Sequence, residues 1–163
     1  MILFCLLATG PKVYAQTQNT AEATVAVGLR VVVQRNLRFG VISVGNSAGS
    51  VTISPSGERT STGAGIVLLG TDYWEAIFEL QGEPWAQYDI ALPSNVDITR
   101  VGGTETMRVG SWRSYPWDNW LAEFRTLNSS GAATVNVGAT LHVGPNQTPG
   151  LYIGNFEVTF SYN

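Results

Sequence analysis

Lysine, cysteine and histidine are almost missing from this chain of 163 residues: Lys12 is the only Lys, Cys5 the only Cys and His142 the only His. Past residue 15 there is therefore no amine for Schiff-base chemistry, no thiol nucleophile, no Cys-ligated zinc and no disulfide framework. A single His leaves no imidazole cluster for a metal, and no cofactor is expected. Charge is also scarce, at 13% of residues against about 25% in an ordinary domain. Past residue 15, eight Arg face twelve Asp and Glu, a balance that makes nucleic acid a poor partner. Long apolar runs are missing too. Residues Ile2 to Ala8 are too short to cross a bilayer, and no later segment is a candidate, so no membrane span is expected once that start is removed.

What is present points to one all-β domain. Hydrophobic residues make up 44% of a length that can bury a real core, and 18 Gly with 7 Pro favour short strands and tight turns. Residues 1–15 read as a secretory signal peptide, with Val13-Tyr14-Ala15 as the small-residue cleavage site before Gln16. No positive charge precedes the apolar run, a departure from the usual pattern, and a buried N-terminal strand is the alternative. The mature chain, residues 16–163, is expected in the periplasm, at the cell surface or outside the cell.

Alternation of period two runs nearly throughout. Ala21, Ala23, Val25, Val27, Leu29, Val31 and Val33 occupy one face of a run twice the usual strand length, which predicts a break or a change of partner near Gly28. Further strands are expected at Leu37–Val44, Ser50–Ser54, Gly65–Leu69, Trp74–Leu80, Gln87–Leu92, Asn95–Val101, Glu105–Val109, Ala133–Val143 and Leu151–Tyr162. No linker divides them, and one antiparallel β-sandwich of immunoglobulin type is the economical reading. His142 falls on a polar strand face, where a solvated role is expected rather than a catalytic one.

The C-terminal segment has Gly150 in the fourteenth place from the end, alternating Tyr152, Phe156, Val158, Phe160 and Tyr162, and a penultimate Tyr. It resembles the end of a chaperone-usher pilin or a spore-coat-U-type subunit. A closer resemblance is to the exported bacterial family called domain of unknown function 4402. It is carried by Leu37-Arg38-Phe39-Gly40, by Ser54-Pro55-Ser56-Gly57 with Arg59, by Gly82-Glu83-Pro84 through Tyr88-Asp89-Ile90 to Leu92-Pro93, and by Val137 to Gln147 leading into the C-terminal segment. The resemblance implies a secreted, pilin-like sandwich and no established activity. The disulfide of classical pilins is absent.

A pilin-like domain lacks one strand, and its groove stays open until a neighbour's N-terminal extension fills it. Ala21, Ala23, Val25 and Val27, within residues 16–28, have the alternation that such a donor strand needs. Burying four or five such side chains would contribute on the order of 5–10 kcal/mol before ordering costs. The groove is expected along Gly150, Tyr152, Phe156, Val158, Phe160 and Tyr162. The partners implied are further copies of the chain, other pilus or coat subunits, and a periplasmic chaperone. Alternation alone does not separate this use from a first strand that completes its own sandwich.

A second expectation concerns the stretch from Ser111 to Trp120. Trp112, Tyr115, Trp117 and Trp120, flanked by Asp118 and Asn119, have the composition of a glycan- or protein-binding loop, which would make the chain a monomeric surface carbohydrate-binding or adhesin domain; a loop folded over one end of the sandwich has that composition too. Enzyme readings find little support. Gly63-Ala64-Gly65 has Leu68 where a dinucleotide fingerprint needs its third Gly, and no nucleophile elbow lies near His142. Asp72, Glu75, Glu79, Glu83 and Asp118 offer carboxylate pairs no more telling than those of any sandwich.

Overall fold

Short stretches bounded by Gly, Pro and Asn, most of them with alternating apolar residues, become twelve strands among the described residues, all paired antiparallel. The structure, a computed structural model, describes Ala23, Val25 and residues 27–115 and 125–163. The segment read as a signal, Ala21, Trp117 and Trp120 lie outside the described residues. The strands are β1 (Arg30–Arg35), β2 (Val41–Val44), β3 (Gly49–Ile53), β4 (Arg59–Thr62), β5 (Ile66–Leu69), β6 (Ala76–Gln81), β7 (Tyr88–Ala91), β8 (Val96–Arg100), β9 (Thr106–Tyr115), β10 (Ala132–Val143), β11 (Tyr152–Ile153) and β12 (Thr159–Tyr162). Among the described residues there is no helix. The expected all-β antiparallel sandwich is the fold.

One large sheet has the order β1-β6-β10-β9-β8-β11. The twelve-residue β10 holds it together: its first half pairs with β6, its second half with β3, and β9 runs along its other edge. Facing this sheet are two separate ribbons, β2–β5 and β7–β12. Val51, Ala76, Phe78, Leu80, Val135, Val137, Leu141 and Val143 of the large sheet are buried, with Ile42, Val44, Phe156 and Phe160 packed against them.

The first strand, β1, begins at Arg30, two residues past Gly28. Residues 30–44 then run antiparallel to residues 66–81 and cross with them from the large sheet to the second layer. β1 pairs with β6, Arg38 and Trp74 exchange both main-chain bonds at 2.9 and 3.0 Å, and β2 pairs with β5. At the crossing Gly40 has φ +80°, and a Cβ there would stand 2.5 Å from Arg59 Nη1. Arg59 donates to the carbonyls of Phe39 (3.1 Å), Leu69 (3.2 Å) and Gly70 (2.7 Å), and stacks on Tyr73. The guanidinium fork thus satisfies acceptors that the broken ladder exposes.

Three expected boundaries are corrected. β4, Arg-Thr-Ser-Thr, was not expected; it carries no apolar face and forms because it pairs with β3 at the sheet edge. β9 does not stop at Val109 but continues to Tyr115. The stretch Leu151–Tyr162 is two strands in different layers, β11 on β8 and β12 on β7.

Candidate functional site: the edge of the C-terminal strand

β12 meets β7 in the register Thr159↔Ala91 to Tyr162↔Tyr88, and Asn163 N continues it with a bond to Gln87 O at 3.1 Å. In an antiparallel ladder the bonded pairs alternate. Thr159, Ser161 and Asn163 therefore turn their main-chain groups toward β7, and Phe160 and Tyr162 turn theirs to the opposite edge. That edge has no strand partner among the described residues. The far edge of β7, in contrast, is engaged, since Tyr88 N donates to Arg125 O (2.8 Å) and Leu127 N to Ala86 O (2.9 Å). Burial pushes the Tyr88 phenol above its ordinary pKa, with Arg125 pulling the other way.

The side chains along β12 match its unpaired backbone. Phe156, Val158, Phe160 and Tyr162 are only half-buried, although the facing residues of β6 and β10 are buried almost completely. Phe160 packs on Phe78 with centroids 5.5 Å apart, and Phe78 sits opposite Val33 of β1. Val31 and Val33 share that inward face yet remain 40% and 54% exposed. Partly exposed apolar side chains of β1 and β12 therefore form a rim on either side of the buried Phe78.

The N-terminal segment leaves the domain at this rim. Tyr162 Oη donates to Val27 O (2.9 Å) and accepts from Glu83 N (2.8 Å). A Cβ on Gly82 would lie 2.1 Å from that hydroxyl, so this close approach requires glycine. Beyond the anchor, Ala23, Val25 and Val27 are exposed, Val25 by 92%, and have no strand partner among the described residues. Ala21 lies outside the described residues.

Gly150 and Tyr152 do not border this edge, which corrects the expected continuous groove strand. Both belong to the far side of the large sheet. A Cβ on Gly150 would stand 2.8 Å from Arg100 Cδ, so this glycine makes room for the arginine stem. Tyr152 Oη bonds Thr148 O (2.7 Å) and Gln147 Nε2 (2.8 Å). Gly154 packs against Ile98, where a Cβ would approach to 2.8 Å, and the chain crosses to the other layer after it.

The Trp-rich stretch also divides. Trp112 is 9% exposed, lies in the core and stacks on Phe156 with centroids 4.6 Å apart, so its ring faces are not open to a ligand. Tyr115, the last residue of β9, is exposed. Trp117 and Trp120 lie outside the described residues. Sequence reasoning passed over the Gly82–Tyr162 contact; its signal was a Gly-Glu-Pro turn directly after a strand.

Of the carboxylates singled out from the sequence, Asp118 lies outside the described residues, and Asp72, Glu75 and Glu79 are engaged locally. Glu75 pairs with Arg35 (2.5 Å), Asp72 with Arg38 (2.5 Å), and Glu79 accepts from Gln34 (2.6 Å). His142 is exposed, opposite Ser50 and Arg108. No group of three His, Cys, Asp or Glu among the described residues could hold a metal ion, and no helix there is long and apolar enough to cross a membrane. Compared with known proteins, residues 29–162 match the family model described as Domain of unknown function (DUF4402). No curated protein and no solved structure matches the chain.

Proposed function

The chain belongs to the DUF4402 family of unknown function, and from that premise we propose that it is an exported assembly subunit, pilin- or coat-like, joined to its neighbours by strand complementation. One observation carries the reading: among the described residues β12 has a backbone edge without a strand partner, lined by half-buried Phe156, Val158, Phe160 and Tyr162, while Val25 of the extension stands almost fully in solvent. An extended strand with apolar residues at alternate positions supplies what that edge lacks. Its main chain answers Phe160 and Tyr162, and its Val and Ala side chains cover the rim. The twelve residues from Gln16 to Val27 reach roughly 40 Å when extended, enough to lie along a neighbouring subunit. The same edge would suit the strand of a periplasmic chaperone before assembly. The role is structural, with no catalysis.

The test is Val25→Asp in the full chain. A carboxylate desolvated in an apolar groove costs several kcal/mol, so the variant is expected to fold as the parent does and to form no oligomers or fibres by light scattering and electron microscopy. An unchanged yield of assemblies overturns the reading.

A further inference from the structure

Trp85 is the most exposed aromatic side chain among the described residues, at 68%, and its backbone stands at φ 62°. It is the third residue of the turn Glu83–Ala86, closed by Ala86 N to Glu83 O at 3.1 Å. A positive φ at that place of a turn is where glycine sits without strain, and a bulky residue does not. The chain therefore holds an indole outward from a strained position where it covers no core. Strain of this kind, kept at an exposed residue, points to use by a ligand or partner.

The surroundings say which. Glu83 N is bonded to the Tyr162 hydroxyl, and that hydroxyl holds the carbonyl of Val27. Trp85 is two residues from Glu83, at most about 7 Å of chain. The turn that carries Trp85 thus begins at the root of the N-terminal extension, and whatever receives the extension is brought against this end of the domain. Resting on the complementation reading above, we propose that Trp85 is a contact residue for a second copy of this chain, packing on the neighbour that takes up the extension. Exposed Trp residues beside an anchored element are the kind that carry interface affinity.

The experiment compares Trp85→Gly with Val25→Asp in the full chain, reading the protein concentration needed for assembly and the melting temperature of the monomer. For Trp85→Gly the monomer is expected to melt at or above the parent temperature, since glycine relieves the turn, while assembly needs at least about tenfold more protein. Assembly of Trp85→Gly at the parent concentration overturns the contact. So does a fall in monomer melting that accounts for the lost assembly, which would mean that the indole packs on its own chain. Where Val25→Asp is blocked but Trp85→Gly is not, strand complementation stands without Trp85. Normal assembly of Val25→Asp removes the complementation reading and the Trp85 contact with it.

Discussion

Arg100 and Glu105 close the β8–β9 turn with a two-pronged pair, Nε to Oε2 at 2.8 Å and Nη2 to Oε1 at 3.1 Å. Thr104 N adds a third donor at 3.1 Å. Bonding to the guanidinium first, and main-chain N–H donors after it, hold the Glu105 carboxyl at about 2, below its ordinary 4.5. The sign follows from that depression: the folded chain takes up the proton less readily than the unfolded one. The contribution to stability is complete above pH 4.5 and is lost as pH falls from there to about 2. The pair is partly open to solvent, so its share of the total is small. Urea midpoints measured across this window should fall with acidification, and Glu105→Gln should flatten that part of the profile while lowering the midpoint at neutral pH. An equally steep profile in the variant would assign the acid sensitivity to other carboxylates. At this scale the sequence was partly legible. Gly40, Gly82 and Gly150 each stood in a quoted motif, but the reason for each is a contact with Arg59, Tyr162 or Arg100 from a distant strand, and no local pattern encodes that.

At the scale of the element, β9 shows how a strand can hide. Met107 and Val109 point inward at odd positions, yet beyond Gly110 the inward residues are Trp112 and Ser114. The ladder to β10 shifts between Gly138 and Thr140, and Ser111 takes φ 49°. One extra residue at this bulge changes the parity, so period-two counting ends the strand where the structure continues it. Trp112→Ala would empty a large core position against Phe156 and should cost about 3–5 kcal/mol in denaturant unfolding. Retained stability would mean that the ring is not part of the core. β10, in contrast, was legible over nearly its full length, because Val135, Val137, Leu141 and Val143 keep one parity without a bulge. The division of β11 from β12 escaped because Tyr152, Phe156, Val158, Phe160 and Tyr162 keep a single parity across a change of layer. β4 escaped for the opposite reason, having only polar residues to display.

For the whole molecule, the layer facing the large sheet is two ribbons that share no ladder among the described residues. The sequence announced the donor-like segment but not its destination, since a strand alternates in the same way whichever molecule pairs with it. Concentration supplies the discrimination that pattern cannot. If residues 16–28 completed their own domain, the melting temperature would not depend on protein concentration. If they serve a neighbour, each extension is a ligand for the next subunit, and stability rises as RT ln(1 + [L]/Kd). The same law predicts the behaviour of the parts. A chain beginning at Leu29 should remain folded but monomeric, because β1 and Leu29 stay with their own sheet. A peptide of residues 16–28 at a hundredfold excess over its Kd should then stabilise that chain by about 2.7 kcal/mol, a rise in melting temperature on the order of 5–10 °C. The peptide carrying Val25→Asp should give none. A concentration-independent melt of the full chain, with an unfolded Leu29 version that the peptide restores, would instead assign the strand to its own subunit.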